Sequence, residues 1–183
     1  RGVEVLAGLS GIRGAVRPEV LPSGGEFGVT NRWGAPVPVC GVAGDQQAAM
    51  LGLMCTEYGD SKCTYGTGCF MLMNTGRRNI VSKRGLVTTL AASFDVSPDY
   101  ALEGSMFSAG AVHGWLKEGM GLIENESDCA DIARKVKNTG GVYLVPAFVG
   151  LGAPHWNGRA RGTITGITRA TTREHVIRAA EEC

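Results

Sequence analysis

The stretch GDQQAAMLGLMCTEYGDSKCTYGTGCFMLMNTG, residues 44–76, carries two chemical elements about twenty residues apart. The first is Asp45, where a short apolar run ends and a helix begins. Asp45 has the chemistry of an N-cap, and Gln46 to Glu57 reads as helix with Gly59 as its stop. The second is the turn Gly66-Thr67-Gly68, which joins two apolar β segments, Lys62 to Tyr65 and Cys69 to Met73. A carboxylate at a helix start and a Gly-Thr-Gly turn between strands are parts that phosphoryl transfer to an alcohol needs: a base for the hydroxyl and a cradle for phosphates.

Each element also has a purely structural reading. Asp45 alone is a helix cap, and Gln46 beside it gains a role only if a second hydroxyl is bound. Gly66-Thr67-Gly68 alone is a tight hairpin turn. No Lys-Ser/Thr pair follows the last glycine, so it is not a Walker A loop. As a nest it would offer backbone N–H groups and the Thr67 hydroxyl to phosphate oxygens. Phe70 is core by pattern. Gly110 is either a packing residue or a floor beneath a nucleotide. Arg159 and Arg161 read as solvated charge before phosphate ligands, and Glu103 as a structural pair or a metal contact.

Outward from this stretch, residues 1–39 read as loop-rich, with turns at Arg17-Pro18-Glu19 and Leu21-Pro22-Ser23-Gly24-Gly25. Val37 to Val42 reads as a strand. Asn74-Thr75-Gly76 reads as a turn. Gly85 to Ser93 and Tyr100 to Glu103 are strand candidates. Ser105 to Leu122 looks helical, with small residues in its first turns. Ser127 is placed to cap a helix from Asp128 to Lys137. Val142 to Val145 and Thr163 to Ile167 are strands on either side of a long Gly/Pro loop, Pro146 to Arg161. Thr171 and Glu174 have capping-box spacing for the last helix. Strands and helices alternate, with hairpins inside, so α/β with a mixed sheet is expected.

The 183 residues are 44% hydrophobic with net charge +1, which argues against a nucleic-acid binder. No apolar run is long enough to span a membrane. Six cysteines without a C-x-x-C pair point to reduced thiols and a cytoplasmic protein. Three scattered histidines predict no metal site. The chain opens on Arg1 and closes at Glu181-Glu182-Cys183 inside an apparent helix, so it reads as an internal piece of something larger.

Gly41 to Gln47 and TYGTGCFMLMNTG at Thr64 to Gly76 resemble the glycerol kinases of the FGGY carbohydrate kinase family. YALEGS at Tyr100 to Ser105, the run Ala109-Gly110-Ala111 before Trp115-Leu116, VYLVPAFVGLGAPHW at Val142 to Trp156 and RGTITGITR at Arg161 to Arg169 resemble the same family. The resemblance covers nearly the whole chain. It implies an actin-like ATPase (ribonuclease H-like) fold, with residues 1–58 ending a first, substrate-binding domain and residues 59–183 opening a second, nucleotide-binding one. It implies ATP with Mg2+, glycerol as acceptor, ADP as product and a homo-oligomer when intact. By the same matching Asp45 is the general base, Gln46 and Phe70 are glycerol contacts, and Gly66, Thr67 and Gly110 lie at the nucleotide. Gly114 and Glu181 depart from the family pattern. The resemblance leaves out segments of both cleft walls, so this piece alone is expected to be inactive. Another polyol or sugar kinase of the family, or a non-catalytic remnant of the fold, are the alternatives.

Overall fold

A computed structural model describes residues 19–183. The turn expected at Arg17-Pro18-Glu19 begins outside these residues. The chain divides into two compact units. One holds the described residues up to Val42 together with Ser93–Val96; the other holds Ala43–Ala92 and Ser97–Cys183.

The first unit is a hairpin of β1 (Gly24–Thr30) and β2 (Val37–Gly41), paired antiparallel. Strand β2 falls within the expected Val37 to Val42, whereas β1 lies in a stretch whose composition reads as loop. Gly24, Gly25 and Gly28 dilute its β signal, and the register shifts between Gly24 and Gly28, where Gly28 has φ +144°. Pro38 is tolerated because the sheet has only two strands.

The second unit opens with α1 (Asp45–Gly52). Gly44, not Asp45, is its N-cap, extended at φ −63° and ψ 154°, and the Gly44 carbonyl accepts the Ala48 amide at 2.8 Å. The helix ends earlier than Glu57. Gly52 is a poor interior residue, Met54 turns left-handed at φ 58°, and the Asp60 carboxylate accepts the Glu57 amide at 2.9 Å.

Four antiparallel strands follow, β3 (Ser61–Tyr65), β4 (Cys69–Gly76), β5 (Val87–Leu90) and β6 (Tyr100–Met106), in the order β3-β4-β6-β5. The turn expected at Asn74–Gly76 is the end of β4. Asn74 donates to the Cys55 carbonyl at 3.1 Å and accepts the Gly76 amide at 2.7 Å, while a bulge shifts the register there. Strand β6 runs on through Ser105 and Met106, which pair with Phe70 and Cys69. That pairing takes the first residues of the helix expected from Ser105. Every strand ladder among the described residues is antiparallel, and the parallel part of a mixed sheet is not among them.

One face of the four-stranded sheet carries buried Lys62, Leu72, Asn74, Ala101 and Ser105. They follow from cross-strand pairs such as Lys62 with Leu72 and Asn74 with Ala101, because partners share a face. Met50 of α1 packs into this core with Cys55, Leu72 and Ala101.

A second core gathers Val112, Leu116, Cys129, Val142, Leu144 and Ile177. It is built by α2 (Ala111–Gly114), which runs into a π turn at Trp115–Gly119, by α3 (Cys129–Ala133), by the short pair β7 (Tyr143–Val145) and β8 (Thr163–Thr165), and by α4 (Arg173–Glu181). A 3-10 turn at Glu126–Asp128 leads into α3, which stops well before Lys137. Arg178 of α4 donates to the Val136 carbonyl at 2.8 Å, just beyond that end. The capping box of α4 is formed by Thr172 and His175, one residue later than the Thr171–Glu174 spacing implied. Thr171 instead accepts the Thr168 amide at 2.9 Å.

Candidate active site

The extended Gly44 aims the first turn of α1 so that Asp45 is exposed and Gln46 half-buried. The Asp45 Oδ1 accepts the Gln46 amide N–H at 2.8 Å. Its Oδ2 lies 3.4 Å from the Gln46 Nε2, which donates to it. The first turn of a helix favours a carboxylate, because its unpaired N–H groups carry partial positive charge.

Lys62 was not singled out from the sequence. It is 4% exposed, and its ammonium donates to Gln46 Oε1 and, at 2.7 Å, to Thr64 Oγ1. An ammonium only donates, so the Gln46 carboxamide must turn its oxygen to Lys62 and its NH2 group toward Asp45. The result is a hydrogen-bonded chain, Thr64–Lys62–Gln46–Asp45, that presents an acceptor and a donor side by side. The sequence signal was slight, a lysine in a short strand of otherwise uncharged residues, Ser61–Tyr65. Its partner lies sixteen residues away. Phe70, opposite Thr64 in the register, is partly buried and packs against the core of Met50 and Leu72.

Two residues beyond Thr64 the Gly66–Gly68 turn begins, about 7 Å along the strand direction. It is closed by Gly66 N–H donating to the Gly68 carbonyl at 2.8 Å. Residues Ala109–Ala111 dock on it. Their N–H groups donate to the Thr67 carbonyl at 2.8 Å and 3.2 Å and to the Gly66 carbonyl at 2.9 Å. Gly66, Thr67 and Gly110 thus line one cleft of about 760 Å³ with Tyr65, Ser108 and His113. The exposed Thr67 hydroxyl has no protein partner among the described residues.

Gly110 has a steric reason to be glycine. A Cβ there would stand 2.7 Å from the Gly66 carbonyl oxygen. Gly110→Ala is expected to force the docking segment off the turn. It should cost about 1–3 kcal/mol in urea unfolding, together with weaker binding of any ligand held by the turn. A variant as stable as the parent, with unchanged ligand affinity, would show that the segment gives way freely.

Other candidates separate from the cleft. Glu103 Oε1 accepts the Ser105 hydroxyl at 2.8 Å, a structural pair on β6. Arg161 donates to the carbonyls of Gly158 and Ala160 in its own loop. The neighbouring thiols Cys63 and Cys69 share a hydrogen bond at 3.2 Å and form no disulfide, and burial pushes the Cys69 thiol up to about 11.

Comparison with known proteins bears on the family and the fold. A family model described as "FGGY family of carbohydrate kinases, C-terminal domain" matches residues 61–182. A glycerol kinase of Carboxydothermus hydrogenoformans is 55% identical over 182 residues, 98% of this chain and 36% of its own length. One from Thermus brockianus is 54% identical over 181 residues, again 98% of this chain and 36% of its own length. The chain therefore spans about 36% of the length of these curated relatives. Among solved structures, Plasmodium falciparum glycerol kinase with ADP superposes with a TM-score of 0.76 at 42% identity, covering 87% of this chain and 32% of that one. A xylulose kinase of Rhodospirillum rubrum superposes at 0.74 with 24% identity, over 96% of this chain and 36% of that one, and shows the fold alone. The fold is that of the actin-like ATPases, and this chain belongs to the FGGY family of carbohydrate kinases.

Proposed function

We propose that this chain is part of a glycerol kinase, which transfers the γ-phosphoryl group of ATP to a terminal hydroxyl of glycerol, giving glycerol 3-phosphate and ADP. The observation that carries the reading is the paired acceptor and donor of Asp45 and Gln46, held by buried Lys62 on the strand that runs, four residues later, into the Gly66–Gly68 turn. Asp45 takes the proton of the attacking hydroxyl. The Gln46 NH2 group donates to a second hydroxyl, and Phe70 lies against the carbon chain. Gly66 and Thr67 hold phosphate oxygens, and Gly110 forms the floor beside them. The new oxygen–phosphorus bond forms as the bond from the γ-phosphorus to the β,γ-bridging oxygen breaks, and the proton passes to the Asp45 carboxylate.

Mg2+ would arrive on the phosphates of its substrate. Among the described residues the one His/Cys/Asp/Glu group close enough to hold an ion includes a thiol, and Mg2+ prefers oxygen ligands. On this reading residues 1–58 end the substrate domain and residues 59–183 open the nucleotide domain. The family match beginning at residue 61 supports that division. Six free thiols support a reducing, cytoplasmic setting. Assembly into a homo-oligomer is part of the same proposal.

The test is a panel of glycerol, other polyols and pentuloses, read by ADP release from the protein at its natural length. Glycerol is expected to be the preferred acceptor. Exclusive use of a pentulose would move the chain to another branch of the family.

A further inference from the structure

We propose that His113, Cys129 and Glu181 form a binding site for one thiophilic divalent cation of the zinc class. The three side chains come from three helices, α2, α3 and α4, and from positions far apart in sequence. Their ligand atoms nevertheless all lie within 4.8 Å of one another. His113 Nε2 and Glu181 Oε1 are 2.7 Å apart, and Cys129 is 2% exposed beside them. Imidazole, thiolate and carboxylate are the donor types that zinc accepts, at about 2.0–2.3 Å. A tetrahedral ion would need its nitrogen and oxygen ligands about 3.3 Å apart. The His113–Glu181 pair would open by only about 0.6 Å, and both side chains are partly exposed and free to do so.

The surroundings favour a cation over the bare cluster. The carboxylates of Glu181, Glu126 and Asp128 gather negative charge around Cys129. A dication held there would be stabilised by them. Binding releases the thiol proton to solvent and breaks the His113–Glu181 hydrogen bond; the neutral His113 ring changes tautomer, its proton passing through solvent from Nε2 to Nδ1, so that Nε2 meets the ion with a free lone pair. His113, Glu126 and Glu181 also line the 760 Å³ cleft, so a fourth coordination position faces open space. Three protein ligands and one open position make a site that can exchange its ion. Magnesium, which keeps to oxygen ligands, would not compete.

Cobalt(II) titration of the reduced protein at its natural length tests this without any assay of activity. The expected result is one equivalent of cobalt with the visible bands of a tetrahedral site and a near-ultraviolet thiolate-to-metal band, both removed by zinc and untouched by magnesium. Cys129→Ser should abolish the near-ultraviolet band. His113→Gln and Glu181→Gln should each weaken zinc binding by more than about tenfold, with circular dichroism confirming the fold of each variant. Glu181→Gln, at a partly exposed position, keeps the test decisive if the change at buried Cys129 unfolds the protein. Absence of the thiolate band in the parent, its survival in folded Cys129→Ser, or unchanged zinc affinity in Glu181→Gln would each overturn the proposal. None of these outcomes depends on which substrate the cleft takes.

Discussion

Asp45→Asn is expected to lower kcat for the proposed phosphorylation of glycerol by about 10²–10⁴-fold, with KM for ATP close to the parent value. The amide is nearly isosteric with the carboxylate. Its oxygen can still accept the Gln46 backbone N–H that Asp45 Oδ1 accepts at 2.8 Å. What it cannot do is take the hydroxyl proton, or accept the long Gln46 Nε2 contact that Asp45 Oδ2 accepts at 3.4 Å. Asp45 is exposed and is not the N-cap of α1, so stability should fall by no more than about 1 kcal/mol, the size of a first-turn carboxylate's interaction with the helix. Steady-state ADP release, run beside a thermal melt, separates the two effects. Turnover that survives the substitution would remove Asp45 from the role of base while leaving the family assignment intact.

Lys62→Met is expected to act on binding more than on chemistry. The buried ammonium is what fixes the Gln46 carboxamide with its NH2 group toward Asp45. Methionine fills similar space but donates nothing. The Gln46 oxygen and the Thr64 hydroxyl then lose their donor, and the amide is free to turn over. Loss of one oriented hydrogen bond to a buried partner is worth about 1–3 kcal/mol, so KM for glycerol should rise by about 10–100-fold. Among the described residues Lys62 meets only neutral acceptors. Removing an ammonium buried without a counter-charge should therefore leave global stability unchanged or improved. A fall in kcat at constant KM would show that Lys62 acts on Asp45 instead.

What could be read from the residues alone follows the range of the forces involved. The hairpin of β3 and β4 was legible because a Gly-Thr-Gly turn between two apolar runs is a local instruction. The family was legible because its motifs are long and lie in unbroken stretches. The end of α1, the strand hidden under three glycines in β1 and the late stop of β6 were not legible. Each is decided by a partner distant in sequence: Asn74 for the exit from α1, Val39 and Pro38 for β1, Cys69 and Phe70 for the end of β6. The same holds at the site. Asp45 and Gln46 stand out as neighbours in the chain, but Lys62 acquires meaning only when β3 folds under α1. The His113–Cys129–Glu181 cluster was invisible because three helices must pack before its atoms meet.

The Pro146–Arg161 segment has the composition of a stretch that a protease would find first. Yet the Ala153 amide donates to the Ser105 carbonyl at 2.9 Å, and the Trp156 indole N–H donates to Gly85. Leu151 and Asn157 bridge one another, and Trp156 and Phe148 pack edge-on and tilted against Phe107 and Trp115. Cleavage requires the segment to open locally and enter a protease in extended form, and none of these anchors survives that. Limited digestion should therefore leave this segment whole and nick the chain elsewhere. It is a poor place to insert a tag or a second domain, and a good place to attach a rigid label.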